Sequence, residues 1–191
     1  MEHRVDVDLD KFCGKNHTGL LKPFSQEGYS WATDGRTIIG VPQLESVLEN
    51  KSAPNVGLIL DSLPKLTGRG LAIPEIKDLP KCKLCGGVGE NFECFECKGS
   101  GRVELSTEYT EYHPECGSCE GEGEIDLCPL CEGCGFDVDF SVEIGGVKFY
   151  GGALLKLQTL PNVRIYPGDQ NSIAAIVFNG GKGAIMPQIE D

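Results

Sequence analysis

The chain lacks the apolar segments that secretion and membrane insertion require. Among its 191 residues there is no apolar run near the length of a membrane span, which needs about 20 residues. The first eight residues mix charged with single apolar residues and contain no signal-peptide core. The sequence therefore predicts a cytoplasmic protein with no membrane partner.

Positive charge is also scarce. The chain has 17 Lys and Arg against 29 Asp and Glu, so its formal net charge is −12. A protein that coats DNA needs Lys and Arg to neutralise phosphates. Binding to DNA is therefore the weakest of the functions considered, and it stays uncertain.

Recognisable catalytic groups are missing as well. The three histidines, His3, His17 and His113, have no partner at a useful spacing. The stretch 180–183 lacks the upstream glycine and the Ser or Thr of a phosphate-binding loop. The carboxylates of 120–126 are typical of a solvated surface. We expect no enzymatic activity.

Cysteine, in contrast, is abundant and patterned. Nine of the ten cysteines lie between residues 82 and 134. Eight of them form four copies of C-x-x-C-x-G-x-G, here called knuckles 1 to 4: Cys82–Gly89, Cys94–Gly101, Cys116–Gly123 and Cys128–Gly135. Isolated pairs could be disulfides or redox centres. Four copies with matched glycines instead predict tetrahedral zinc sites, because two such pairs complete one coordination sphere.

The spacing of the knuckles predicts how they pair. Eight, eighteen and eight residues separate successive C-x-x-C pairs, which suits a chain that runs out, turns and returns antiparallel. The predicted ligands are Cys82, Cys85, Cys128 and Cys131 for site 1, and Cys94, Cys97, Cys116 and Cys119 for site 2. Full thiolate ligation leaves no open position, so both Zn²⁺ ions are expected to be structural. The apolar alternation at Val103, Leu105, Thr107 and Tyr109 predicts a β-ribbon at the tip.

Two cysteines remain outside this pattern. Cys13 is interpreted as a buried apolar residue. Cys134 stands at a variable position of knuckle 4 and is the alternative ligand there. The sequence leaves both roles open.

These four knuckles resemble the cysteine-rich domain of DnaJ-type chaperones. The resemblance implies pairing of knuckle 1 with 4 and of 2 with 3, and a part in holding unfolded polypeptide. His113-Pro114-Glu115 is similar to the loop of a J-domain but has no helices around it. Stimulation of a partner ATPase is therefore not expected.

The flanking sequence predicts a second domain. We expect residues 1–77 and 138–191 to form one discontinuous α+β domain, mostly antiparallel, with 78–137 inserted as a two-zinc β-ribbon module. Two helices on one face are predicted, one opened by Pro42 and the other stopped by Pro161. The predicted strands are Val5–Leu9, Tyr29–Thr33, Thr37–Val41, Phe140–Ile144, Val147–Phe149, Val163–Tyr166, Ile173–Phe178 and Ala184–Met186, with weaker candidates at Asn55–Leu60 and Leu71–Ile73. The predicted core residues are Val7, Trp31, Ile38, Leu48, Leu157, Ile165 and Val177.

The flanks resemble a domain of bacterial sliding clamps, the beta subunit of DNA polymerase III. The resemblance rests on Tyr29–Arg36, on the order of elements after Phe149, and on the closing Met186-Pro187. It implies a pocket beside Met186 and Pro187 that captures peptides, and possible oligomers. The acidic end of this chain and the single Lys156 in the second predicted helix depart from that family.

Three functions follow from these observations. The first is a non-enzymatic, zinc-binding protein-interaction protein, such as a replication-associated, clamp-like adaptor in a phage or bacterium. The alternative is a chaperone-like holder of unfolded polypeptide, acting through the zinc module. The weaker alternative is a DNA-binding accessory protein. The partner itself is not identified by the sequence.

Overall fold

The computed structural model describes residues 7–14, 21–50, 52–77, 79–106, 108–169 and 171–189. The chain divides into two units: unit 1 is Met1–Ile76 with Asp139–Asp191, and unit 2 is Lys77–Val138. The two stretches of unit 1 share one sheet, in which strands from before and after unit 2 are hydrogen-bonded neighbours.

Twelve strands and two α-helices lie in the described residues. The strands are β1 (Phe24–Gln26), β2 (Tyr29–Thr33), β3 (Thr37–Pro42), β4 (Glu90–Glu93), β5 (Leu105–Ser106), β6 (Glu111–Tyr112), β7 (Glu124–Leu127), β8 (Ser141–Ile144), β9 (Val147–Tyr150), β10 (Arg164–Tyr166), β11 (Ala174–Phe178) and β12 (Gly181–Ile185). The helices are α1 (Val56–Asp61) and α2 (Gly151–Gln158), and Leu9–Phe12 forms a 3-10 helix. No helix in these ranges combines the length and apolar character that crossing a membrane requires.

Unit 1 is built on a six-stranded antiparallel sheet in the order β1-β2-β3-β12-β11-β10. The predicted hairpin of β2 and β3 is confirmed, and the Asp34 carboxylate fixes its turn by accepting from the N–H groups of Arg36 and Thr37. The β8–β9 hairpin is confirmed too. Gly145 and Gly146 have φ of 63° and 81°, as a two-residue turn with positive φ at both positions requires. Unit 1 is therefore α+β and mostly antiparallel.

Both faces of this sheet are apolar, since neighbouring residues of a strand point to opposite faces. Ile39 packs in the core that contains Leu154 and Leu157 of α2. Ile38 packs in a second core with Trp31 and with Val56 of α1. The prediction that both helices lie on one face is wrong, because α1 and α2 cover opposite faces.

The first predicted helix is also wrong. The segment after Pro42 continues alongside β1, and two of its carbonyl groups accept hydrogen bonds from that strand. Ser25 donates from its backbone N–H to the carbonyl of Leu48 and from its hydroxyl to the carbonyl of Val47. Leu48, predicted to be buried, is 78% exposed.

A helix forms instead where a strand was predicted. The side-chain oxygen of Asn55 accepts from the N–H of Leu58 and caps α1. Val56, Ile59 and Leu60 then recur at helical spacing and pack on the sheet. The stretch Asn55–Leu60 was a weaker strand candidate, although its apolar spacing also fits a helix.

The outcome for the other predicted elements and core residues is mixed. Part of the first predicted strand lies outside the described residues, and its last residue, Leu9, belongs to the 3-10 helix. Leu71 forms only an isolated bridge with Ile165. Trp31, Ile38, Leu157 and Ile165 are buried as predicted, while Val7 and Val177 are half-buried.

Unit 2 runs out and back along itself. The bridge between Lys81 and Phe136 comes first, then the pairing of β4 with β7, the bridge between Arg102 and Glu115, and the pairing of β5 with β6. Every one of these pairings is antiparallel. The arrangement brings knuckle 1 beside knuckle 4 and knuckle 2 beside knuckle 3.

Candidate metal centres

Eight cysteines of unit 2 form two groups, each drawn from two knuckles. Site 1 contains Cys82, Cys85, Cys128 and Cys131, and site 2 contains Cys94, Cys97, Cys116 and Cys119. Within each group the four sulfurs lie within 4.8 Å of one another, and all eight side chains are buried. Both groups could hold a metal ion.

The sulfur separations fit a tetrahedral site. In site 1 the Sγ atoms of Cys82 and Cys128 are 3.8 Å apart. In site 2 the Sγ atoms of Cys94 and Cys116 are 3.7 Å apart. Disulfide sulfurs would be about 2.05 Å apart, and all ten cysteines are free. Four sulfurs held about 2.3 Å from a central zinc ion lie about 3.8 Å apart, so these residues fit zinc.

Reciprocal backbone hydrogen bonds join the paired knuckles. The N–H of the first cysteine in each knuckle donates to the carbonyl of the last glycine in the partner knuckle. The four bonds, 2.8 to 3.0 Å long, run from Cys82 to Gly135, from Cys128 to Gly89, from Cys94 to Gly123 and from Cys116 to Gly101. Each site therefore has an approximate twofold symmetry.

The glycines of the repeat permit this close pairing. Gly135 has a φ of 77°, and a Cβ atom there would lie 2.6 Å from the carbonyl oxygen of Gly87. Gly87 belongs to the partner knuckle, and the last glycines of the other three knuckles face the corresponding carbonyl in the same way. The repeat thus encodes the surface on which knuckles pair as well as the ligands.

The last glycine of each knuckle also supports a ligand sulfur. Its N–H lies 3.2 to 3.3 Å from the Sγ of the second cysteine in its own knuckle. The donors are Gly89, Gly101, Gly123 and Gly135, and the acceptors are Cys85, Cys97, Cys119 and Cys131. Such bonds stabilise a thiolate and orient it toward a metal.

Burial and hydrogen bonding separate the pKa values of the thiols. Burial opposes ionisation of Cys85, but backbone N–H groups of knuckle 1 outweigh it and lower its pKa to about 6. The backbone N–H of Cys97 lowers the pKa of Cys94 to about 7. Burial raises the pKa of Cys128 to about 11 and that of Cys116 to about 12. Each site therefore pairs an easily ionised thiol with one that keeps its proton at neutral pH.

Few apolar side chains surround the cysteines. Phe92 is buried against site 1, and Val103 packs against site 2. Ile125, half-buried and opposite Phe92 in the β4–β7 pairing, packs against both sites. The interior of unit 2 thus consists mainly of the cysteines themselves.

The two remaining cysteines lie outside both groups. Cys13 is half-buried beside the main core of unit 1. Burial raises its pKa to about 11, as expected for a thiol in apolar surroundings. Cys134 is exposed and contacts the carbonyl of Phe136. It is not a member of the group that contains Cys131.

The peptide pocket was predicted beside Met186 and Pro187, and these two side chains differ in exposure. Met186 is 42% exposed, while Pro187 is buried. A hollow of about 270 Å³ lies elsewhere in unit 1, between Leu60, Leu63 and the β11–β12 strands. Neither Met186 nor Pro187 lines it.

One polar pair near the sulfurs was missed by the sequence reasoning. Glu96, in knuckle 2, accepts a hydrogen bond from Ser118 in knuckle 3. A signal was present, because the corresponding residues of knuckles 1 and 4 are Leu84 and Leu130. Comparing the four knuckles position by position would have found it.

Comparison with known proteins adds no relationship to these observations: neither the models of protein families nor the curated proteins give a match. Function is therefore inferred from the geometry of the two sites and from the surfaces around them.

Proposed function

We propose that the chain is a cytoplasmic, non-enzymatic protein-interaction protein whose unit 2 is folded around two structural zinc ions. The observation that carries this proposal is the pair of buried tetracysteine groups with sulfur separations of 3.7 to 3.8 Å. Site 1 and site 2 would each hold one ion. The zinc would supply cross-links, since four thiolates leave no position for water or substrate.

The surface of unit 2 supports a role in binding polypeptide. Leu105 and Tyr112 lie opposite each other in the β5–β6 pairing and are 56% and 65% exposed. Phe95, Leu127 and Leu130 are also exposed on this unit. Isolated exposed apolar residues are ordinary, but neighbouring ones on so small a unit favour a binding surface.

The net charge of unit 2 indicates which kind of polypeptide it would bind. Unit 2 carries fourteen Asp and Glu against five Lys and Arg, a formal net charge of −9 with histidine neutral. An unfolded or extended polypeptide with apolar and basic side chains would complement this surface. The resemblance to the cysteine-rich domain of DnaJ-type chaperones points the same way. We therefore favour the holder of unfolded polypeptide over the clamp-like adaptor.

The clamp-like adaptor is the second candidate, and Met186 is the observation in its favour. This side chain follows β12 and is 42% exposed, so it could contact a peptide. Encirclement of DNA receives less support. Lys156, the one cation of α2, forms a 2.9 Å ion pair with Asp34, so its charge is already balanced.

A binding measurement separates the two candidates. The probe is a fluorescently labelled ribonuclease, reduced and carboxamidomethylated so that it stays unfolded and basic. Replacing Leu105 and Tyr112 together with serine should weaken its binding about tenfold, the range for a pair of contributing interface residues. Leu58→Ser, at an equally exposed site of unit 1, is the matched control and should leave affinity unchanged.

The opposite pattern would favour the adaptor. If the probe does not bind, or binds equally well to the double serine variant, the holder function is wrong. In that case a pull-down from the native host should recover a partner that Met186→Ser loses.

A further inference from the structure

The two metal centres share their ligands and backbone geometry but differ at one position of the repeat. The third residue of each knuckle is Leu84 or Leu130 at site 1, and Glu96 or Ser118 at site 2. The twofold pairing brings these residues to matching places beside their sites. Apolar side chains therefore border site 1 where polar ones border site 2.

At site 2 the carboxylate of Glu96 reaches a ligand sulfur. Glu96 Oε2 lies 3.5 Å from Cys116 Sγ, closer than the 3.7 Å between the sulfurs of Cys94 and Cys116. The same oxygen accepts the hydroxyl of Ser118, which holds the carboxylate in place across the two knuckles. Glu96 is thus positioned against Cys116 by a contact from the partner knuckle.

At site 1 the corresponding side chains are hydrocarbon. Leu84 is half-buried and packs against the cysteine cluster. Leu130 is 48% exposed. Neither residue brings charge or a hydrogen-bonding group to the sulfurs.

This difference bears on how firmly each ion is held. A ligated cysteine is a thiolate that has no proton to donate, so a carboxylate 3.5 Å from Cys116 Sγ repels it. Carboxylate oxygens are themselves zinc ligands, so Glu96 also offers an alternative partner to an ion that leaves the sulfur. Repulsion and competition both weaken the bond to Cys116.

We propose that site 2 is the exchangeable zinc site, that site 1 is the permanent one, and that Glu96 is the residue that sets the difference. The inference rests on the proposed zinc occupancy of both sites. It makes the outer half of unit 2, with the β5–β6 hairpin, responsive to zinc supply while the inner half stays folded.

Stepwise zinc release tests this proposal on the full chain. The zinc-loaded protein is mixed with excess 4-(2-pyridylazo)resorcinol, and the coloured complex is followed with time. Iodoacetamide is added at intervals, and peptide mass spectrometry identifies which cysteines have become reactive. Two phases of one ion each are expected, with Cys94, Cys97, Cys116 and Cys119 alkylated in the first.

Variants assign the difference to Glu96. E96Q should slow the first phase about threefold, within the range for one exposed charge interaction. E122Q removes the same charge from a neighbouring knuckle and is the control, with the first phase unchanged. Exchanging the pairs should move the labile site: E96L with S118L should slow release from site 2, and L84E with L130S should speed release from site 1.

The outcomes are distinguishable. A total of two ions released in one phase, or alkylation of Cys82, Cys85, Cys128 and Cys131 first, overturns the inference but leaves the zinc proposal intact. So does an E96Q chain that releases zinc as fast as the unchanged chain. A total below two ions per chain overturns the zinc proposal, and this inference with it.

Discussion

The two units are stabilised by different interactions. Unit 1 buries large apolar side chains such as Phe149, Leu154 and Leu157 against a six-stranded sheet. Unit 2 buries eight cysteines, and Phe92 is the one other buried apolar side chain among its described residues. So little apolar burial cannot offset the conformational entropy of ordering a chain of that length. Unit 2 therefore depends on cross-links, whereas unit 1 does not.

Of the changes considered, removal of metal should produce the largest difference in stability between the two units. Chelation is expected to unfold unit 2, because structural zinc contributes about 10 to 16 kcal/mol per site in small domains. Unit 1 should stay folded, since its core contains none of the ligands. Hydrogen exchange followed by mass spectrometry measures both. Amides of β4 and β7 should lose protection, while those of β11 and β12 keep it.

Two results would go against this expectation. Protection of β4 and β7 that survives chelation would mean that unit 2 has a sufficient core of its own. Loss of protection in both units at once would mean that they fold as one cooperative body.

Deletion of most of unit 2 tests whether unit 1 folds independently. The N–H of Asp137 donates to the carbonyl of Pro80 at 2.7 Å, so the two ends of the segment to be deleted lie together. Removing 81–136 and joining the ends with a short Gly/Ser linker should leave a folded unit 1, because loop closure depends weakly on length. Cooperative thermal melting with retained β-sheet circular dichroism is expected. A deletion product that does not melt cooperatively would refute the insertion architecture.

The contrast between the units also explains how much the sequence could predict. In unit 2 the ligands, glycines and spacing are all local patterns, and they indicate the same two groups that the sulfur positions show. The Glu96 contact needed a comparison between knuckles, since a single C-x-x-C has no unusual feature at its third residue. The reciprocal contacts between the glycines and the carbonyl groups of the partner knuckle could not be predicted from the sequence, because they depend on how closely the two backbones approach.

In unit 1 the sequence was informative where turns are explicit. Asp34-Gly35 and Gly145-Gly146 mark their hairpins, and Pro161 marks the end of the second helix. Residues 42–60 were misread because a short apolar run fits either period. The lateral bonds from Ser25 join residues more than 20 positions apart and cannot be read locally. The cap from Asn55 was a local signal, because Asn is a favoured N-cap residue.

Lowering the pH should have the next largest effect, because it should release zinc from unit 2 and leave unit 1 folded. In the unfolded, metal-free unit the knuckle thiols have the ordinary pKa of about 8.5, so at neutral pH they hold protons that zinc must displace. Lowering the pH therefore favours the metal-free thiols. Each proton that a released thiol takes up adds about 1.4 kcal/mol per pH unit to this dependence.

Dialysis over a series of pH values, followed by zinc analysis, measures this effect. Zinc content should fall as the pH is lowered, while the near-ultraviolet circular dichroism of Trp31 in unit 1 is retained. Zinc content independent of pH down to about pH 5 would contradict thiolate ligation.

A single glycine should produce the smallest and most local difference. Gly135→Ala places a methyl group against the carbonyl of Gly87 and puts alanine at a φ of 77°. We expect site 1 to weaken by about 1 to 3 kcal/mol, the cost of strain at such a position. Site 2 should be unaffected. Gly117→Ala is the control, because a Cβ there meets nothing within 4 Å.

Competition titrations with a chromophoric chelator measure the affinity of both variants. Equal affinities for Gly135→Ala and the unchanged chain would show that the close glycine pairing is not needed for zinc binding.

The central claim is that two ions hold unit 2 together, and native mass spectrometry of the full chain tests it most directly. Protein expressed in zinc-replete medium should carry two zinc ions per chain, with the mass of four thiolates per site and no disulfide. The same protein with Cys94, Cys97, Cys116 and Cys119 replaced by serine should carry one. A chain that carries fewer than two zinc ions, or whose eight knuckle cysteines are oxidised to disulfides, would contradict the account.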